Sequence, residues 1–403
     1  MADGGRWITP GVPSRWGTGH KGRAPMLALI VWLLASVLLA APTVAVGAPG
    51  NDASECAVGV DFLGFSDALN KQTYEGTNVG GLSALTYDRS RGVYYSLVDN
   101  EDSTAARYYT LRIPLDGGTL GEPTILDVTT LRDASGQPYT GENYDGEGIA
   151  LTHTRQLLIS SETEPSIRRF SLDGRLLEEL PVPRRFVVAP AGEATTNRSL
   201  ESLALSPNNR SLFTAVEAPL APDGQTADGG NRIRILRYED CGPGGLEPVE
   251  QFFYLTEAGQ SVVEIVALSE TQLLVLERGF TPGVGNTVRV FQVSLRGAPD
   301  ISNAESLATA GVAPVEKTLL LDVAACPPSG ATSPGTQSNP LLDNYESLAL
   351  GPRLPGGQRS LLLQSDDNFS AGQVTRIIAL GVENARLQPW AESLRQRGEN
   401  IHE

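Results

Sequence analysis

Short apolar runs alternate with polar, glycine- and proline-rich turns along most of this chain, the pattern of β-strands rather than of amphipathic helices. One arrangement recurs five times, at residues 80–100, 147–162, 201–217, 264–277 and 346–367. Each copy opens on Glu (Gly80 in the first), continues as a short apolar strand such as Ile149-Ala150-Leu151, and turns through polar residues. It then returns as a second apolar strand and ends on an acid. The third copy turns on Ser206-Pro207-Asn208-Asn209, a hairpin signal. A third strand follows each hairpin with an arginine near its start: Arg107, Arg168, Arg232, Arg289 and Arg376. A fourth apolar stretch precedes the next copy, at Glu122–Val128, Arg175–Leu180, Val249–Leu255 and Lys317–Val323.

Four short strands per unit describe the blades of an all-β propeller. Five blades are counted, and a sixth has room only in the interval 264–346, so the expected fold is a five- or six-bladed β-propeller. The last copy has three strands. The run Val58–Phe65 precedes the first copy and has no blade of its own, so this N-terminal strand is expected to supply the missing fourth and close the ring without an open edge. The propeller domain is placed at 57–382. A tail at 383–403 follows, in which Ala385–Arg397 reads as a short outer helix. Residues 219–231 and 326–344 read as loop insertions.

The N-terminus changes the picture. Arg15, Lys21 and Arg23 precede an apolar run from Met26 to Ala41, followed by Val46-Gly47-Ala48. Basic flank, apolar run and small-residue end describe a signal peptide at 1–48, cleaved near Ala48, and a secreted or periplasmic protein. The run is short for a membrane span, so a membrane role is expected only as an uncleaved anchor. Export permits a disulfide among Cys56, Cys241 and Cys326. Cys241 and Cys326 both lie in loop-like surroundings and are the expected pair.

The 403 residues carry a net charge of −16, and the part after residue 48 carries −19, because residues 1–48 hold Arg6, Arg15, Lys21, Arg23 and a single acid, Asp3. Such a surface excludes a nucleic-acid partner and suits metal cations. No nucleophile elbow, P-loop or zinc-protease motif occurs. The histidines are His20, His153 and His402. The first lies in the leader and the last at the chain end, and His153 lies in a turn away from the acids, which argues against a Ser-His-Asp triad or a histidine nucleophile.

In a hairpin, the start of the first strand and the end of the second lie side by side, and the third strand begins at that same end. The repeated acids and arginines should therefore crowd one mouth of the channel. Carboxylates there suit a hard cation such as Ca²⁺, and arginines suit a phosphate. The competing reading is that each Glu pairs with Arg or a backbone N–H and merely locks neighbouring blades together.

At these motifs the chain resembles the family named for the esterase-like activity of phytase. The matching stretches are Gly80–Leu85, Asp145–Ala150, Ser199–Pro207, Leu276–Phe280, Asn344–Pro352 and Ser365–Ser370, and the likeness runs from about residue 57 to 382. The resemblance implies a propeller-like exported protein that hydrolyses phosphate or other esters. The sequence departs from the family pattern where Glu-Gly becomes Glu201-Ser202 and Glu346-Ser347. If the glycines allow a ligand close to the backbone, access to the site differs here.

The expectation is thus a Ca²⁺-dependent phosphoester hydrolase, with a non-catalytic propeller binding a cell-surface, metabolite or protein ligand as the alternative. Glu147, Glu201, Glu346, Asp366 and Asp367 are the expected metal ligands, and Arg168, Arg232 and Arg376 the expected phosphate ligands. Asp99, Glu162, Glu217, Glu264, Glu277, Arg107 and Arg289 are secondary candidates. No residue is assigned as catalytic. The partner expected is a small anionic phosphoester or a cell-surface ligand, bound by a monomer.

Overall fold

The computed structural model describes residues 54–99, 102–242 and 245–388. The leader at 1–48 and the tail from 389 onward lie outside the described residues. Within them, strands follow the expected alternation. The second strand of each blade is buried on both faces, as in Val93–Val98 and Gln156–Ser161, and the fourth is less buried, as in Thr124–Thr130, where no residue is fully buried.

Five antiparallel sheets form the ring among the described residues. The first blade runs Leu82–Asp88, Val93–Val98, Arg107–Arg112 and Thr124–Thr130 from the inside out. The second runs Gly146–Leu151, Gln156–Ser161, Ser166–Ser171 and Leu176–Leu180. The third has Ala204–Leu205, Ser211–Ala215, Gly230–Asp240 and Leu246–Ala258. The fourth has Ser261–Ala267, Gln272–Thr281, Gly285–Ser294 and Glu316–Asp322. This last sheet takes up the interval in which a sixth blade had room, and the rest of that interval is loop and 3-10 turn.

The fifth blade is built from both ends of the domain. Tyr345–Arg353, Arg359–Ser365 and Ile377–Val382 come from the C-terminal side, and Val60–Ser66 pairs antiparallel with Ile377–Val382, from Val60 opposite Val382 to Ser66 opposite Ile377. The expected closing strand is therefore present. A short fifth strand, Glu55–Ala57, adds outside it. The hydrophobic core lies between blades rather than at one centre. Leu82, Leu85 and Tyr109 pack with Ala349 and Leu362 where the last blade meets the first, and Leu274 and Val290 pack with Leu361 and Ile378 where the fourth meets the fifth. Where the tail begins, Asn384–Arg386 forms one 3-10 turn.

The disulfide corrects the sequence expectation. Cys56 pairs with Cys326, and Cys241 is exposed and free. The reason is the ring closure. It brings the added strand Glu55–Ala57 beside the 3-10 turn Val323–Ala325 at the outer edge of the fourth blade, a neighbour that loop composition does not disclose. The bond joins residues 270 positions apart, so its loss should cost about 2–4 kcal/mol of stability. Urea unfolding of a Cys56→Ser, Cys326→Ser variant measures this. An unchanged midpoint would mean that strand pairing alone holds the ring shut.

One buried ion pair ties down the insertions. The Arg234 guanidinium forks onto Asp223, with Nε to Oδ2 at 2.7 Å and Nη2 to Oδ1 at 2.9 Å, and both side chains are fully buried. Arg234 also donates to the carbonyls of Ile301 and Ala304, and Asp223 accepts from Leu307 N–H.

Candidate functional site: an arc of buried acids

The innermost strands share one irregularity. Each breaks register at the same place, where a β-bulge sets one extra residue against its partner and re-aims the side chain. The bulge residue is Ser83, Glu147, Val263 and Glu346 in the first, second, fourth and fifth blades. In the third blade Glu201 holds the same place, just after Leu200 bridges Val216. At the end of the second strand stand Asp99, Glu162, Glu217 and Asp366, each one position past the register, and Arg278, still within it. Four of these donate their backbone N–H across to Gly81, Asp145, Ser199 and Asn344, and Arg278 pairs with Ser261. Each blade thus delivers three residues to one place: the bulge, the strand end and the residue opposite it.

The acids so delivered form a continuous arc. Carboxylate oxygens of Asp99, Glu346 and Asp366 lie within 4.8 Å of one another, as do those of Asp99, Asp145 and Glu147, and those of Glu147, Glu162 and Glu201. Asp99 and Glu147 each belong to two of these sets. Glu217 extends the arc and is forked by Arg198 at 2.9 and 3.1 Å. Arg278 closes the ring, 3.0 Å from Glu346 and 3.7 Å from Glu217, with a further bond to Asn344. It is the fourth blade's departure from the acid pattern.

The remaining hydrogen bonds fix orientation. Ser83 Oγ donates to Glu147 Oε2 at 2.9 Å, Ser199 N–H to Glu162 Oε2 at 3.1 Å, and Asn344 Nδ2 to Glu346 Oε1 at 3.1 Å. Asp366 is fully buried; its Oδ1 accepts from Asn368 N–H, and its Oδ2 has no hydrogen bond among the described residues.

Burial, and then the neighbouring carboxylates, push Asp99, Glu147, Glu201 and Asp366 well above the usual carboxylate range. Burial also pushes Glu162 up to about 8. The sign follows from linkage. A folded state that holds protons the unfolded chain has released is favoured at low pH. That advantage is complete below about 4.5 and is lost as pH rises through about 8. In EDTA the melting temperature should therefore fall between pH 5 and 8. A melting temperature that rises over this range in chelator would show that the acids are ionised and paired within the fold.

The other expected residues go elsewhere. Asp367 accepts from Gly81 N–H at 3.0 Å and Phe369 N–H at 3.1 Å and pairs with Lys71, outside the three acid sets. Glu264 aligns with Glu147 in sequence but pairs opposite Leu276, one register step past the bulge at Val263. Its Oε1 accepts from Ile265 N–H at 2.9 Å and Leu203 N–H at 3.3 Å. Glu277 is held by Tyr254 at 2.5 Å, Glu257 N–H at 2.9 Å and Lys317 at 2.6 Å.

The arginines of the third strands bond within their own surroundings. Arg168 pairs with Glu179 at 2.9 Å and lies over Tyr139 and Tyr144. Arg232 donates to the carbonyls of Asp223 and Gln225, and Arg107 to those of Ala105 and Asn78. Arg289 pairs with Asp322 at 2.8 Å. Arg376 forks onto Asp67 at 2.7 and 2.8 Å and donates to the Pro340 and Thr332 carbonyls. A third strand stands two sheet spacings, roughly 10 Å, out from the inner one, which is why these residues find local partners.

Sequence reasoning passed over Asp145; it set Arg278 at the channel mouth beside Glu277 but assigned it no ligand. The first was legible as the acid two places before Glu147; the second, as the residue that follows Glu277 where the other copies end. The Glu-Gly departures also have a structural cause. A Cβ on Gly148 would lie 2.6 Å from the Leu203 backbone nitrogen of the next blade, so this glycine serves blade packing. Ser202 Oγ accepts from Ala215 N–H, and Ser347 Oγ donates to the Ser83 carbonyl.

A family model described as Phytase-like, esterase-like activity of phytase, matches residues 77–369. No curated protein matches the chain in sequence. Among solved structures, the tail fibre of Staphylococcus aureus phage P68 is similar at 12% identity and a TM-score of 0.41, covering 85% of this chain and 57% of that one. The chain thus spans a little over half the length of that fibre protein. The periplasmic gluconolactonase PpgL of Pseudomonas aeruginosa is similar at 15% identity and a TM-score of 0.32, over 76% of this chain and 87% of that one. The PQQ-bound aldose sugar dehydrogenase of Streptomyces coelicolor gives 15% and 0.31, over 76% and 84%.

Proposed function

The chain belongs to the Phytase-like family, and from that membership and the arc of acids we propose that it is a metal-dependent phosphoric ester hydrolase acting at the propeller mouth. One observation carries the reading. Seven carboxyl groups form three overlapping close sets, six of them buried, and the Arg278 guanidinium pairs with one of them, Glu346. Like charges at this spacing require protons or a cation. The donor set is oxygen only, which suits a hard ion such as Ca²⁺, and Asp366 Oδ2 is a buried acceptor without a donor. Asp99, Glu346 and Asp366, Asp99, Asp145 and Glu147, or Glu147, Glu162 and Glu201 would hold it. A bound Ca²⁺ supplies charge stabilisation to a phosphoryl oxygen.

The chain's own residues do the rest. Arg278 lies on the acid ring and offers N–H donors to a phosphate. The Glu147–Glu162 pair takes a proton from water as the water oxygen bonds to phosphorus. The ester P–O bond breaks, and the leaving oxygen takes that proton from the pair, giving an alcohol and inorganic phosphate. Export of the chain is part of the proposal, supported by the basic flank and apolar run within residues 15–48. Among the described residues no helix is long and apolar enough to cross a membrane.

The test is hydrolysis of p-nitrophenyl phosphate and phytate by the purified protein with calcium, with EDTA, and with calcium restored. Saturable release of phosphate, lost in EDTA and regained with calcium, is expected. No release from either ester by the calcium-loaded protein would overturn the reading and leave a ligand-binding propeller.

A further inference from the structure

A cavity of about 530 Å³ opens beside the acid arc and shares Arg278 and Asn344 with it. That volume lies within the range of small-molecule sites. Its walls come from the end of the Gln272–Thr281 and Gly285–Ser294 strand pair, the 326–344 insertion and the turn after Asp366-Asp367. The insertion is fitted to the strands. Gly285 has φ +111°, and a Cβ there would lie 2.3 Å from Gln337 Oε1, so only glycine lets the insertion dock. Gln337 Oε1 then accepts from Asn286 N–H at 2.7 Å, leaving its Nε2 without a hydrogen bond among the described residues.

The lining chemistry is specific. Asn286, Gln337, Asn368 and Gln373 bring four side-chain amides, each with a donor and an acceptor. The Asn286 amide group and Gln373 Nε2 make no hydrogen bond among the described residues. Phe280, 63% exposed, offers a flat apolar face at the edge. Amides that donate and accept, set around an exposed aromatic ring, suit a ligand with many hydroxyls and an apolar face. Charge narrows the ligand further. Among the described residues the only cation lining this wall is Arg278, already engaged by Glu346, and Asp343 adds an acid. A polyanion would set its further charges against amides and carboxylates.

We propose that this cavity is the subsite for an uncharged sugar ring carrying a single phosphate, which reaches the acid arc past Arg278. The phosphate part rests on the hydrolase reading above, whereas the sugar subsite stands on its own residues. The products would be the free sugar and inorganic phosphate, with the bonds exchanging as described above.

Two measurements on the calcium-loaded protein separate the claims. In the first, kcat/KM is compared for the 1-phosphates of glucose, mannose and galactose, for methyl phosphate and for phytate. At least one sugar phosphate should exceed methyl phosphate and phytate tenfold or more, and Phe280→Ala and Gln337→Ala should each cut that preference about tenfold through KM. No preference over methyl phosphate, or a preference for phytate, overturns the proposal. In the second, calorimetric titration uses the three free sugars. Binding that Phe280→Ala abolishes supports the subsite even if no ester is hydrolysed. Absence of binding by every sugar and sugar phosphate overturns it even if methyl phosphate is hydrolysed.

Discussion

Replacing Glu147 by glutamine should remove both the calcium-induced rise in melting temperature and the hydrolysis of phosphate esters. Glu147 sits in two of the three acid sets, a position shared only with Asp99, so its neutralisation weakens most of the arc at once. Glutamine has nearly the same shape, and its carbonyl oxygen can still accept from Ser83 Oγ. At a calcium concentration of 100 Kd, binding stabilises the native state by about 2.7 kcal/mol. For a domain of this size that corresponds to roughly 4 °C. Wild type should show this rise in a saturable titration, and Glu147→Gln should show none. In EDTA the variant should melt at or above the wild-type temperature, because one group that burial holds protonated at a cost is gone. A variant that melts lower in EDTA would mark Glu147 as a lock between blades, and a variant that keeps the calcium rise would place the ion elsewhere.

Arg234→Ala is expected to cost the most stability, about 3–5 kcal/mol, because it strands Asp223 as an uncompensated charge with no exposed surface. The pair holds two segments at once. Asp223 lies in the 219–231 insertion, and Arg234 reaches the backbone of Ile301 and Ala304 in the loop after the fourth blade's third strand. Urea unfolding measures the loss. The double replacement Arg234→Met, Asp223→Leu should recover part of it, since an apolar pair carries no desolvation cost but leaves the Ile301 and Ala304 carbonyls and the Leu307 N–H without their partners. A loss below about 1 kcal/mol in the single variant would contradict the burial of the pair. Neither segment touches the acid sets, so calcium binding should survive in the double variant.

Much of the architecture was legible before the fold was known. The recurrence of strand, turn and strand marked the blades, and the orphan run at Val58–Phe65 had to pair somewhere, because the last copy lacked its fourth strand. Glu147, Glu201, Glu346 and Asp366 were legible as the acids of that repeat, and four of the five metal candidates do meet in one arc. Asp367 does not, because consecutive residues at a strand end point to opposite sides. Glu264 was misplaced for a related reason. Sequence likeness aligned it with Glu147, but the bulge in the fourth blade falls on Val263, and one step of register carries a side chain to a different neighbour. The arginines were named correctly as a repeated feature and assigned to the wrong partners. The acids and tyrosines they meet lie on adjacent strands and insertions.

By itself, then, the sequence determined the strands, the turns, a ring of five or six blades and the residue types the repeat brings to one end; the sheets show five blades. These follow from hydrophobic alternation and turn chemistry, which act between residues a few positions apart. Only the tertiary structure decided which acids touch, that Arg278 rather than a third-strand arginine joins them, and that Cys326 meets Cys56. Each of those depends on bulge register and on the closing of a ring, where residues up to 270 positions apart in the chain become neighbours.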